Sequence, residues 1–312
     1  MKKIIWTCDT EIGELGSGID DAFSLFVLGH VSGCDVGVNY INDKAYKYGA
    51  KITHFVDIYK PRYTKEFADI CEKILSDGHK VELHTHPSVM YKKRYMYEYD
   101  LSEQKRIIEY GQKFFWKFLR LEPTAHRAVG YSANDNTMKA LQEAGIKVDS
   151  SYYHGNEFSM LNIKEINSVR YYQNTSVLEV PVTVFSVKKC FLGVKKSYWQ
   201  KLDFRNGANV EEILKVIDLA PKNAVIVLFL HSVNFLKRIY SHRSKKIVEV
   251  SIDYDLLEQY ELLLNKINSR EDCCWKTIED IYKEQDGFFT EINRPVNICQ
   301  SLKKRFSNEI YV

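Results

Sequence analysis

Five short segments of this chain carry side chains that can hold a metal ion or move a proton, each at or just behind a run of apolar or β-branched residues. The first is Thr7-Cys8-Asp9-Thr10-Glu11. Carboxylates at i and i+2 point the same way on an extended chain, so one can bind a metal while the other takes a proton. An acidic strand-to-helix loop would look the same. The second is His84-Thr85-His86-Pro87, after Lys80-Val81-Glu82-Leu83. Its imidazoles share a face and can converge on one ion as neutral nitrogen ligands, although an isolated pair at this spacing is as often a surface coincidence. His79, in the preceding turn and facing elsewhere, reads as structural.

The third segment contains His126-Arg127 and runs on to Gly130-Tyr131-Ser132. A permanently charged guanidinium can hold a carboxylate by two hydrogen bonds and keep it ionised; an ordinary surface arginine is the plainer reading. The fourth is Asp149-Ser150-Ser151, where the carboxylate could simply cap a turn. In the fifth, a fully apolar run at 225–230 ends in His231-Ser232. A histidine delivered there enters a partly desolvated place where imidazole works as acid or base near neutral pH, unless it is a satisfied core histidine.

The elements that must position these groups follow from periodicity. Short apolar or β-branched runs predict strands at 3–7, 52–56, 80–83, 124–128, 146–149, 177–182 and 224–230. Amphipathic stretches predict helices at 65–76, 102–118 (opening on a Ser102 cap), 137–144, 210–219 and 254–268. Strands alternating with helices imply βα units around a parallel sheet, and seven such strands suggest a barrel. In barrels of parallel strands the active site is built at the carboxyl ends, which is where all five segments fall. The pattern runs over residues 1–286, and 287–312, with Lys303-Lys304-Arg305, read as a C-terminal extension.

Composition excludes several classes. The 312 residues are 45% hydrophobic and 27% charged, as in soluble globular proteins. A net charge of +3 is too small to argue for nucleic acid. The basic residues after His231, namely Lys237-Arg238, His242-Arg243 and Lys245-Lys246, could meet a diphosphate-linked sugar or be a solvated loop. Seven cysteines form no disulfide framework, the amino terminus is too briefly apolar for an export signal, and no stretch is long enough to span a membrane. A cytoplasmic protein with no transmembrane segment is expected.

Taken in order, Asp9-Thr10-Glu11, His84-Thr85-His86-Pro87, Arg127 through Gly130, Asp149 and Leu230-His231-Ser232 resemble the five motifs of the polysaccharide deacetylases of the NodB-homology type, carbohydrate esterase family 4. The resemblance covers about residues 3–268, with an insertion-like stretch at 12–36. It implies an α/β fold, an irregular (β/α)7 barrel, with one divalent metal, usually zinc. Carried over, Asp9 matches the catalytic base, and Glu11 stands where a metal-binding aspartate is expected. His84 and His86 match the metal histidines, Arg127 the tether of the base, His231 the catalytic histidine and Asp149 the acid that orients it.

The sequence departs from the common motifs in three ways. Its histidines are two apart rather than four, Glu11 replaces aspartate, and the third motif lacks prolines. These variations look like the branch found with surface-polysaccharide biosynthesis. The implied activity is hydrolysis of an N-acyl group, usually acetyl, from an amino sugar, presented as a sugar nucleotide, lipid-linked sugar or oligosaccharide. A cyclic-amide hydrolase on the same barrel and a non-catalytic carbohydrate-binding protein are the competing expectations. Most of the aromatic surplus, 21 tyrosines included, reads as core and biased composition, but Tyr91, Tyr95, Tyr97 and Tyr99 after His86, and Tyr131, Tyr152 and Tyr153 beside Arg127 and Asp149, could offer flat faces to a sugar, with Tyr91 and Tyr131 the ones expected to do so.

Overall fold

The computed structural model describes residues 1–13, 19–191, 194–203, 205, 208–241, 246–284 and 297–299. Strand β1 (Lys2–Thr10) is buried along its whole length and organises a nine-stranded sheet. The others are β2 (Ile52–Asp57), β3 (Lys80–Thr85), β4 (Ala125–Ala128), β5 (Val148–Asp149), β6 (Arg170–Tyr171), β7 (Leu178–Glu179), β10 (Val225–His231) and β13 (Cys273–Lys276). Two further strands, β8 (Val184–Phe191) and β9 (Val194–Lys201), form a hairpin outside this sheet, as do β11 (Leu236–Ser241) and β12 (Lys246–Ile252). The order is β10-β1-β2-β3-β4-β5-β7-β6, every ladder parallel except β6 on β7. One edge of β1 is shared, β13 pairing with Lys2 to Ile5 and β2 with Trp6 to Thr10.

All seven strands expected from the sequence are present. These two hairpins, β6 and β13 were not expected. Charged and polar residues are scattered through β8, β9, β11 and β12, so no apolar run announces them. The strand Asn297–Cys299 pairs in parallel with β8; the rest of the anticipated extension, including Lys303 to Arg305, and His242, Arg243 and Lys245 lie outside the described residues.

The sheet curls until its ends nearly meet. Between β7 and β10 the backbone ladder is replaced by individual bonds: the Val227 amide donates to Thr183 Oγ1 (2.8 Å), the Phe229 amide to the Leu202 carbonyl (3.0 Å), and Asp203 bridges Phe229. This seam is what makes the barrel irregular.

The side-chain period of two sorts every strand into an inner and an outer face. Ile5, Phe55, Ala125, Val148, Leu178, Val225, Val227 and Phe229 fill the barrel interior, while Ile4, Trp6, Cys8, Val56, Leu83, Ile226, Leu228 and Leu230 face the helices. The helices are α1 (Val38–Lys47), α2 (Thr64–Ser76), α3 (Leu101–Phe114), α4 (Asp135–Glu143), α5 (Val210–Leu219), α6 (Tyr254–Asn268) and α7 (Ile278–Lys283). Helix α3 corrects one expectation: its cap is Asp100, not Ser102. Asp100 Oδ1 accepts from the Glu103 amide (2.8 Å) while Glu103 Oε2 accepts from the Asp100 amide (3.0 Å). A capping box needs its acid three residues beyond the cap, and only Asp100 has one.

Candidate active site

The inner-face rule delivers the site. On β1 it turns Thr7 and Asp9 inward, on β3 His84, on β4 Arg127 and on β10 His231, all near carboxyl ends, with Glu11 and His86 just beyond their strands. These groups meet at a cavity of about 300 Å³ whose wall includes Asp9, Glu11, His84, His86 and His231.

Glu11, His84 and His86 converge on one point. Their nearest ligand-type atoms all lie within 4.8 Å of one another, with Glu11 Oε2 3.1 Å from His84 Nε2 and 3.2 Å from His86 Nε2. His84 Nδ1–H donates to the Arg127 carbonyl (2.8 Å), which leaves its Nε2 lone pair for the centre. Two imidazole nitrogens and one carboxylate oxygen, open toward the cavity, are the donor set of a catalytic divalent transition ion. The charges reinforce one another. Burial alone would raise the Glu11 carboxyl, but His86 and His84 hold it well below its ordinary value. Burial would lower His84, yet Asp9 and Glu11 together push it up to about 9.

Asp9 is held by Arg127, which is fully buried. Nη1 donates to Asp9 Oδ1 (2.7 Å) and Thr7 Oγ1 (3.1 Å), Nε to the Ser150 carbonyl (3.0 Å) and Nη2 to Ser150 Oγ (2.9 Å). The guanidinium also lies over the Phe55 ring, 4.2 Å from its centroid. The other carboxylate oxygen, Oδ2, is 3.9 Å from His84 Nε2. His231 approaches Glu11 through its free oxygen, Nε2 to Oε1 being 3.8 Å. Burial lowers the His231 pKa, with Glu11 pulling the other way and Lys201 adding to the fall.

Two expectations need correction. Asp149 does not orient His231. With Val148 inside the barrel, Asp149 falls on the outer face, where it accepts from His126 Nδ1 (2.6 Å), Ser151 Oγ (2.9 Å) and the Ser151 amide (3.1 Å). The carboxylates whose fields favour protonated His231 are Glu11, then Asp9, then Asp203. Tyr91 does not line the cavity; it packs half-buried against the outer core at the end of a single helical turn, Ser88–Tyr91. Tyr95 takes that place, stacked on Phe158 (centroids 4.6 Å, planes 19° apart) and on Tyr97 (5.4 Å, 17°).

Tyr131 does line the cavity, but its hydroxyl accepts from Lys201 Nζ (2.9 Å). Lys201 was not anticipated; it is buried, 3.3 Å from Asp203 Oδ2 and 3.4 Å from the Phe229 ring centroid. A charged pair at i and i+2 behind a strand, Lys201 and Asp203, repeats the signature of Asp9 and Glu11 and was the available clue. Gly130 (φ 56°) and Tyr131 (φ 65°) are consecutive left-handed residues in the wall, a conformation that a tyrosine adopts only under tertiary constraint.

No family model and no curated protein matches this sequence. Solved structures do match. A Mycobacterium smegmatis protein carrying the name polysaccharide deacetylase superimposes with a TM-score of 0.59 at 16% identity, over 90% of this chain and 89% of that one. A Pseudomonas aeruginosa PAO1 protein of the same name gives 0.57 at 13% identity, over 92% of each chain. The chain has the polysaccharide deacetylase fold. At such identities the likeness speaks for the barrel, and the deacetylase fold leaves the chemistry to be argued from the residues.

Proposed function

We propose that this protein is a metal-dependent carbohydrate N-deacylase that removes an N-acetyl group from an amino sugar, with zinc as its ion. The observation that carries the reading is the pairing of one three-residue metal centre with a tethered carboxylate, Asp9, and an imidazole, His231, which reach different members of the triad. Glu11, His84 and His86 would hold a divalent ion, which when bound would supply Lewis-acid polarisation of a carbonyl and a lowered pKa for water. Asp9, fixed by Arg127, would take the proton of the attacking water as the water oxygen bonds to the acyl carbon. An amide of the Gly130–Tyr131 turn stabilises the charge on the carbonyl oxygen. The carbon–nitrogen bond then breaks as His231 protonates the departing nitrogen, giving acetate and a free amine. The lowered His231 pKa makes that proton easy to give to a more basic amine. The Tyr95–Phe158 stack offers a flat apolar face for a sugar ring at the cavity wall.

The matching structures carry the names of polysaccharide deacetylases, which supports a sugar amide as the substrate class. Cytoplasmic surface-polysaccharide biosynthesis is the setting we favour, from the motif variations. Purified protein should bind one equivalent of zinc, and His84→Ala and Glu11→Ala should each abolish that. Asp9→Asn and His231→Ala should retain zinc yet release acetate from N-acetylated sugars about 10²- to 10⁴-fold more slowly. Full stoichiometry in both ligand variants, or undiminished turnover in either of the others, would reject the assignment.

A further inference from the structure

We propose that Arg238 anchors an anion subsite beside the metal centre, taking a phosphate or carboxylate group carried by the sugar; this rests on the deacylase reading above. Arg238 lies on β11 and is only 7% exposed, and its Nε is buried without a hydrogen-bond partner. Among the described residues no carboxylate forms an ion pair with it. Among the described residues its specific contact is the Phe26 ring, 5.5 Å from the guanidinium carbon to the centroid. Of the acids along the hairpin, Glu249 is paired with Ile239 and exposed, one position out of step with Arg238 and so on the other face, and Asp253 is already engaged by Lys237 Nζ (3.4 Å).

A second arginine stands at the same corner. Arg205 Nη1 donates to the Asn234 (2.9 Å) and Leu236 (2.6 Å) carbonyls at the root of β11, and its charge acts on Arg238. Burial, then Arg205, lower the Arg238 pKa while the Glu11 carboxylate pulls the other way; the net fall is to about 10, so the group still carries its charge at neutral pH.

Such an arrangement is costly unless an anion completes it, because a buried guanidinium cannot shed its proton and gains nothing from a like charge. The contrast with Arg127 is direct: that buried arginine spends its donors on Asp9, Thr7 and Ser150. Arg238 feels the field of Glu11 but forms no ion pair with any carboxylate among the described residues, and its planar fork is suited to two oxygens of one oxyanion. Its place ties it to the reaction. The Phe26 carbonyl accepts from Ser232 Oγ (2.8 Å), and Ser232 Oγ accepts from the Glu11 amide (3.4 Å), so one phenylalanine separates the free cation from the metal centre's backbone.

The test compares wild type with Arg238→Met and Arg238→Lys on three substrates: an N-acetylhexosamine 1-phosphate, an N-acetylated hexosaminuronate and neutral N-acetylchitobiose. Arg238→Met should raise KM for an anionic substrate by about 10- to 100-fold and leave neutral chitobiose unchanged, with Arg238→Lys in between. Loss on the phosphate alone names phosphate as the anion, and loss on the uronate alone names carboxylate. Equal losses on all three substrates, or none, would overturn the subsite. Should Arg238→Met melt far below wild type, Arg238→Gln serves in its place. Calorimetric titration of the wild type and the variant with inorganic phosphate, and separately with acetate, reads the subsite without turnover. If no N-acyl sugar is hydrolysed, the deacylase reading fails while an anion titration lost in the variant still upholds the subsite; absence of binding of both anions to wild type, together with no anion-specific loss in turnover, rejects it.

Discussion

At the scale of single residues, the site is a set of mutually dependent protonation states. His84 must present a lone pair at Nε2, and the bond from its Nδ1 to the Arg127 carbonyl selects the tautomer that does so. Without an ion, Asp9 and Glu11 favour a proton in that place, which is why its pKa rises to about 9 despite burial. Metal and proton therefore compete: below that pKa the proton must be expelled before the ion binds. Zinc affinity should accordingly strengthen with rising pH, by up to about tenfold per unit for one displaced proton, and level off above about pH 9. Competition titrations from pH 6 to 9 with a chelator of known affinity would show this, and a flat profile would mean that His84 binds no ion. Most of these residues were legible because carboxylates or imidazoles two apart behind an apolar run must share a face. Asp149 read by itself as a turn cap, and its Oδ2 does accept from the Ser151 amide; only the role carried over from the resemblance fails, because nothing in Ile146-Lys147-Val148-Asp149 says which of the last two faces inward.

At the scale of elements, strands were easier to read than the turns that carry specificity. The segment after β4 bends through Gly130 and Tyr131, and a Cβ on Gly130 would sit 3.2 Å from Tyr95 Cε1. Gly130→Ala should therefore destabilise by about 1–2 kcal/mol through backbone strain and also displace the Tyr95–Phe158 stack, raising KM for sugar substrates. Gly145→Ala is the control, since Gly145 has φ 78° but nothing within 4 Å of an added Cβ. Thermal melting should fall in both variants, with KM altered only in the first; unchanged KM in Gly130→Ala would remove the stack from substrate binding. Tyr95 could not be chosen over Tyr91 from sequence, because both follow His86 closely and only the turn after Ser88–Tyr91, closed by Lys92 at φ 78°, sends one ring to the cavity and the other to the core.

At the scale of the whole molecule, the barrel is held shut by a few bonds rather than a ladder. Thr183 is buried, and its hydroxyl receives the Val227 amide at the seam between β7 and β10. Thr183→Val keeps the shape and orphans that amide, so stability should fall by about 1–3 kcal/mol, measured by urea unfolding. Because β10 carries His231, turnover should fall as well; intact stability would mean that closure depends on other contacts. Periodicity by itself determined the parallel α/β class, seven of the sheet's nine strands and which residues of a strand share a face, since a side-chain period of two and a helical period of 3.6 are local properties of the chain. Only the tertiary structure decided that Asp149 pairs with His126 rather than His231, that Tyr95 lines the cavity, and that Arg238 is buried without an ion-pair partner among the described residues. Each of those depends on which distant segment closes over it, and no spacing along the chain encodes that.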